Sequence, residues 1–351
     1  MEDNKVKIGI THGDINGISY EIIIKTLMDN RISELCVPIV YGSAKVAAYH
    51  RKALNIENFS LNIIKEAEKA NPKRPNIINC LSDHVRVELG KDTQIAGESS
   101  LMALQKAVED LKNNKIDALV TGPINKDNIQ SEDFKFPGHT EFLAQHFGTE
   151  EDVLMLMVSN LMRVGVVTGH IPLKDVPGQI TIEKILGKLR TLNRSLIRDF
   201  KIQKPRIAVF GLNPHASDGG VIGDEEEKII LPAIQKAKDE NIFAFGPYPA
   251  DSFLGTNNIS KFDAILAMYH DQGLAPFKAL SFDEGVNYTA GLSIIRTSPA
   301  HGTAYELAGK NEATVTSFRQ ALFLALDLYK NRSEYDELSA DQLEYNDKTD
   351  I

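Results

Sequence analysis

The chain is poor in several things. Two cysteines, Cys36 and Cys80, among 351 residues are too few for a disulfide framework. Cys36 adjoins the apolar run Val37-Pro38-Ile39-Val40 and reads as a buried thiol. No run approaches the ~18 consecutive apolar residues that a membrane-spanning helix needs. The start, MEDNKVKIGI, puts acids before a very short apolar run, the wrong order for a secretory signal. Together these features predict a soluble, cytoplasmic protein. Excess basic charge is also missing: 39 Lys and Arg stand against 48 Asp and Glu, a net charge of −9. That balance argues against a surface that holds nucleic acid through net charge, while leaving room for local basic pockets. Neither GxGxxG nor GxxxxGK(S/T) occurs, so the familiar dinucleotide and P-loop fingerprints are absent. There is no internal repeat and no low-complexity linker.

What is present is an ordinary globular composition, 42% hydrophobic and 25% charged, in a chain long enough for two cores. Short β-rich apolar runs alternate with stretches of helical periodicity. Strands are expected at 6–10, 37–41, 76–80, 118–120, 153–157, 164–167, 207–210 and 264–268. Helices are expected over 19–28, 101–111, 182–196, 225–237 and 313–328. Such alternation predicts an α/β fold with largely parallel sheets. The acidic stretch 331–351 reads as a solvated final helix or a frayed end.

Ligands in open α/β sheets gather beyond the carboxyl ends of strands. Five apolar runs here end in Gly, His, Asp or Asn, as in Thr11-His12-Gly13-Asp14 and Thr121-Gly122-Pro123-Ile124-Asn125-Lys126. His170, His215 and His270 close three of these runs. Three imidazoles from three strand ends suit one divalent metal with an open coordination position. The plainer alternative is that each caps a strand or bonds a loop. His50, His84 and His146 lack this context and read as surface or core residues, with His12 intermediate.

Anion recognition has looser candidates. Phe136-Pro137-Gly138-His139-Thr140-Glu141 sets a Gly turn and the pair His139 and Thr140 at an expected helix start, where free N–H groups favour anions. Ser217 to Glu225 is a second Gly-rich loop, with Asp224 as the expected N-cap of the next helix. Lys278, Asn287 and Arg296 follow His270 in a segment with strand-like alternation and suit a carboxylate or phosphate. In the small-residue loop His301 to Asn311, His301, Gly302 and Thr303 let backbone approach a flat ligand, and Glu306 suits a ribose hydroxyl. Residue chemistry alone thus stops at a metal-dependent α/β enzyme with a small anionic substrate.

These motifs, in this order, resemble the 4-hydroxythreonine-4-phosphate dehydrogenase family of pyridoxal phosphate biosynthesis, within the isocitrate/isopropylmalate dehydrogenase-like superfamily. The resemblance runs from Lys7 to about Leu328. It is carried by Thr121 to Lys126, Phe136 to Ala144, Leu212-Asn213-Pro214-His215-Ala216, Leu266 to Leu274, Gly285-Val286-Asn287, Ile295-Arg296-Thr297-Ser298 and His301-Gly302-Thr303-Ala304. It implies two α/β/α domains, 1–125 plus 262–351 and 126–261, with the active site in the cleft between them. It also implies His170, His215 and His270 as ligands of one divalent metal (zinc, magnesium or cobalt), shared across a homodimer. His139, Thr140, Lys278, Asn287 and Arg296 match substrate-binding positions, and the 301–311 loop resembles the superfamily's adenosine-side loop for NAD or NADP. Asp271 is the candidate proton acceptor, or else a partner that orients His270. One motif departs: the family's Gly-Asp-Pro-Ala-Gly-Ile-Gly-Pro-Glu is here Gly13-Asp14-Ile15-Asn16-Gly17-Ile18-Ser19-Tyr20-Glu21, without either proline.

The implied reaction is oxidation of 4-phosphooxy-L-threonine to 2-amino-3-oxo-4-phosphooxybutanoate, which loses CO₂ to give 3-amino-2-oxopropyl phosphate. The nearest rival keeps the chemistry with a four-carbon sugar-acid phosphate, threonate or erythronate 4-phosphate. A phosphate acyltransferase on a related fold and a non-catalytic nucleotide-binding protein are rivals of other classes.

Overall fold

The structure, a computed structural model, describes residues 5–82, 84–131, 134–148 and 153–340. Its strands are β1 (Lys7–Thr11), β2 (Val37–Gly42), β3 (Asn62–Ile64), β4 (Asn76–Asn79), β5 (Ala118–Thr121) and β6 (Leu154–Val158), then β7 (Arg163–Thr168), β8 (Arg206–Phe210), β9 (Phe243–Tyr248), β10 (Ala264–Tyr269), β11 (Val286–Ala290) and β12 (Ile295–Pro299). The helices are α1 (Ser19–Leu27), α2 (Arg31–Leu35), α3 (Ala44–Ala53), α4 (Gln94–Lys112), α5 (His139–Phe147), α6 (Val176–Gln179), α7 (Ile182–Arg198), α8 (Leu231–Asp239), α9 (Ala250–Leu254), α10 (His270–Ser281) and α11 (Thr316–Ser339).

Among the described residues the strands form one sheet in the order β3-β4-β2-β1-β5-β12-β11-β6-β7-β10-β8-β9. The predicted α/β class with largely parallel pairing is what forms. β2 and β5 are buried along their whole length, which is why they read as unbroken apolar runs rather than alternating ones. Two of the long helices start where a hydroxyl takes up a free amide: Thr93 accepts from Ala96 N before α4, and Thr181 from Lys184 N before α7. On α7, Ile185, Leu189, Leu192 and Leu196 are buried at helical spacing, with charged residues between them.

Three pairings are antiparallel: β12 with β11, β11 with β6, and β6 with β7. The parallel blocks on either side of this seam therefore run in opposite directions. Alternation of strand and helix in the sequence does not predict it. β10, in the segment that the sequence groups with the first domain, is hydrogen-bonded between β7 and β8.

Some local expectations need correction. Lys278 is not in a strand-like segment but within α10, where Leu274, Phe277 and Ser281 are buried one helical turn apart. Asp224 is no side-chain cap; its carboxylate pairs with Lys228, and the chain enters α8 through a wider π turn at Glu226–Ile230. Cys36 is buried, as expected, and its thiol is pushed up to about 12 by that burial. The acidic tail continues α11 as far as Ser339, and 341–351 lie outside the described residues.

Candidate active site

A cleft of about 220 Å³ opens at the antiparallel seam. His139, Thr140, His170, His270, Lys278, Asn287, Arg296, His301 and Gly302 all line it, brought from six different elements and loops. Met155 and Met157 of β6 add apolar wall. Two charged lining residues escaped the sequence reading, Lys126 and Glu141, although each sits inside a motif already singled out. Three cations against one carboxylate make this a place for anions.

Arg296 is the most constrained of these groups. It projects from β12 with only 3% of its surface exposed, and its hydrogen bonds go to hydroxyls: Nε and Nη2 to Thr121 Oγ1 at 3.0 and 2.7 Å, and Nη1 to Thr289 Oγ1 at 3.1 Å. Burial lowers its pKa to about 10, with Glu141 opposing the shift, so it stays cationic at neutral pH. A buried guanidinium held by neutral partners is poised for an incoming anion. His139 opens α5 beside it. Burial holds this imidazole well below its usual pKa, and Arg296 and Lys126 push the same way. It is therefore a neutral hydrogen-bonding group. The Asn287 side-chain oxygen and His301 Nε2 are buried without a hydrogen-bond partner, a polar surface that a ligand can satisfy.

His170 follows β7 and His270 opens α10, with ring centroids 5.5 Å apart. His270 Nδ1 lies 2.6 Å from Asp271 Oδ1, which fixes its ring and leaves Nε2 free. Asp271 is 83% exposed and turned to this imidazole rather than into the cleft. The His170 Nε2 is 3.4 Å from Lys126 Nζ, and its Nδ1 is 4.0 Å from Glu141 Oε1. Burial and Lys126 lower the His170 pKa, favouring the neutral, metal-binding form. His215 is not with them. It is exposed on the turn after β8, where residues 215–218 all have left-handed φ, between 48° and 66°. Among the described residues no three His, Cys, Asp or Glu are grouped to hold a metal. The strand-end trio thus does not meet within one chain.

The 301–311 loop divides. His301 and Gly302 line the cleft, and a Cβ at Gly302 would meet nothing within 4 Å, so the backbone there is open to a ligand. Thr303 instead packs on Gly17 through its carbonyl, and Glu306 is exposed. The sequence reading missed Tyr305, whose hydroxyl bonds Asp14 at 2.7 Å. Burial first, and Asp14 next, raise its pKa. No helix among the described residues is long and apolar enough to cross a membrane.

Comparison with known proteins shows the family. Residues 34–325 match the family model of pyridoxal phosphate biosynthetic protein PdxA. The 4-hydroxythreonine-4-phosphate dehydrogenase of Bacteroides thetaiotaomicron is 53% identical over 95% of this chain and 91% of its own length. That of a Sulfurihydrogenibium species is 43% identical over 93% and 99% respectively. The crystal structure of the Klebsiella pneumoniae enzyme of the same name superimposes with a TM-score of 0.81 at 32% identity, covering 93% of this chain and 98% of that one. With its fold, its cleft and these relatives together, the chain belongs to the PdxA family and is an oxidoreductase.

Proposed function

We propose that the cleft oxidises 4-phosphooxy-L-threonine with NAD or NADP and a divalent metal, forming 2-amino-3-oxo-4-phosphooxybutanoate, which loses CO₂ to give 3-amino-2-oxopropyl phosphate. One observation carries this reading: a buried Arg296, hydrogen-bonded to hydroxyls and not to a carboxylate, shares a cleft with the paired imidazoles of His170 and His270. An anion anchor beside two metal-competent nitrogens suits a phosphorylated hydroxy acid. The names of the relatives supply the particular substrate.

Arg296, with Lys278 and the neutral His139, takes the phosphate or the carboxylate, and Asn287 and Thr140 complete the hydrogen bonds. The donor set fits a divalent ion: two neighbouring imidazoles, that of His170 favoured in its neutral form and that of His270 oriented by Asp271 so that Nε2 would be the ligating atom. The third ligand in this reading is His215 of the partner subunit in a homodimer, which accounts for His215 standing apart in a single chain. The dinucleotide would lie along His301 and Gly302, where Nε2 is orphaned and the backbone open. When bound, the metal supplies Lewis acidity at the substrate hydroxyl and the nicotinamide supplies a hydride acceptor. In this reading the substrate would be anchored by Arg296 within the same cleft that His301 and Gly302 line. Asp271 keeps the His270 ring in one tautomer rather than taking the proton itself.

The test is the appearance of reduced nicotinamide with NAD or NADP and each of 4-phosphooxy-L-threonine, threonate 4-phosphate and erythronate 4-phosphate, before and after chelation. Turnover of the amino acid phosphate, lost on chelation and restored by zinc, magnesium or cobalt, is the expected result. Preference for a sugar-acid phosphate would move the substrate assignment. Acyl transfer without nicotinamide reduction would replace the reaction.

A further inference from the structure

The loop after β12 carries the cleft residues His301 and Gly302, then turns through Ala304 at a left-handed φ of 45° to reach Tyr305. The Tyr305 hydroxyl donates to Asp14 Oδ2 at 2.7 Å and accepts from Asn125 Nδ2 at 3.1 Å. Asp14 lies in the turn after β1 and Asn125 in the turn after β5, so one hydroxyl ties three turns together. The tie is short, and it sits directly behind the cleft wall formed by Gly122, Pro123 and Lys126.

Asp14 is completely buried, and the donors around its carboxylate are neutral. Asn16 N donates to Oδ1 at 2.8 Å, while Asn128 Nδ2 and the Tyr305 hydroxyl donate to Oδ2 at 3.0 and 2.7 Å. A buried charge solvated only by neutral groups depends on each of them. The same turn is packed on the loop: Ile18 N donates to Thr303 O at 3.0 Å, and a Cβ at Gly17 would stand 2.5 Å from that oxygen. On the other side, the Asn16 side chain receives Glu88 N at 2.7 Å and donates to Lys91 O and Thr93 Oγ1, both at 2.9 Å. The two prolines that this turn lacks are thus replaced by a hydrogen-bonded lattice around Asp14 and Asn16, with Ile15 and Tyr20 buried in their places.

We propose that Tyr305 is a positioning residue whose hydroxyl latches the 301–309 loop onto Asp14 and Asn125, setting the cleft wall that meets the nicotinamide dinucleotide. This rests on the assignment of that wall to NAD(P) made above. The loop is also held by the Ile18 N–Thr303 O bond and by Ala304 and Leu307, which pack against the core; the latch adds the side-chain tie that fixes the end of the loop next to His301 and Gly302.

Tyr305→Phe keeps the ring and removes only the hydroxyl. Two readouts are needed: amide hydrogen exchange over 301–309 in the free protein, and NADH binding followed by nicotinamide fluorescence. The expected result is faster exchange in the loop together with about tenfold weaker NADH binding. The KM for the phosphorylated substrate should change little, and kcat at saturating dinucleotide should fall less than the affinity does. Unchanged exchange would overturn the latch. Faster exchange with wild-type NADH affinity would overturn its link to the dinucleotide. Failure of the wild-type protein to bind either NADH or NADPH would overturn the functional reading itself, while the exchange comparison would still report whether the latch exists. Asn125→Ala, alone and combined with Tyr305→Phe, provides a second route: the two losses should be clearly less than additive if they break one tie, and additivity would count against it.

Discussion

Arg296 of β12 directs two of its nitrogens, Nε at 3.0 Å and Nη2 at 2.7 Å, onto the single hydroxyl oxygen of Thr121 on the adjacent β5. The hydroxyl aligns the guanidinium plane without neutralising it. The cation is therefore oriented and dehydrated, with Glu141 acting on it only through space, a condition in which an anion gains from pairing with it directly.

Arg296→Lys retains the charge but not the planar fork that both Thr121 and a bidentate anion require. The KM for the phosphorylated substrate should rise by about tenfold or more, corresponding to one charge-assisted hydrogen bond lost. The KM for NAD should stay within twofold or so on the same grounds. Steady-state kinetics with each substrate varied in turn would check this; an equal rise in both constants would refute it.

The separation of His215 from the His170–His270 pair leads to a mixing experiment. His170→Ala and His215→Ala should each abolish turnover without unfolding the chain. In a mixed dimer, one site then carries both lesions and the other carries none. Random reassortment should restore about a quarter of wild-type activity, because about half of the dimers are mixed and each has one intact site. No recovery, from subunits shown to exchange, would mean that all three ligands come from one chain.

His12, Tyr20 and His50 form a buried stack, with ring centroids 5.2 and 5.1 Å apart. Burial lowers both imidazoles from the ordinary 6.5 to about 4. The unfolded chain therefore binds two protons that the folded one refuses between pH 6.5 and 4, so stability falls as pH drops through that window. Each residue contributes roughly 3 kcal/mol of loss by the lower end. Urea unfolding midpoints should decline steadily from pH 6.5 downwards, and a flat profile to pH 4.5 would contradict this.

Asp199, at the end of α7, accepts from Arg332 Nε at 2.8 Å, Tyr288 Oη at 2.6 Å and Ser195 Oγ at 2.6 Å, all within the core. This knot joins α7, β11 and α11 on the seam. Arg332→Ala should cost about 3–5 kcal/mol in chemical unfolding, since it strands a buried carboxylate. Tyr288→Phe should cost less, about 1–2 kcal/mol, because Arg332 remains to pair with Asp199. If both variants cost the same, the ion pair is not the dominant member.

Several features of this protein were determined along the chain itself. The buried parallel strands are legible because strands covered on both faces must be apolar throughout, as at β2 and β5. The helix starts at Thr93 and Thr181 are local chemistry, a hydroxyl before a free amide. The residues that line the cleft were nearly all marked by strand-end polarity and by the motifs of the family, because catalysis restricts which side chains can occupy such positions. Tertiary structure decided the rest. Lys278 looked like part of an alternating segment, and only packing of Leu274 and Phe277 against the sheet makes its surroundings helical. The antiparallel seam depends on pairings between segments as distant as β6 and β11, which leave no local periodicity. The Asp14–Tyr305 bond joins residues 291 positions apart, and the isolation of His215 from its fellow histidines follows from the path of the turn after β8. Spacing along a chain carries no record of such distances, because long-range contacts are selected by burial and shape rather than by neighbouring sequence.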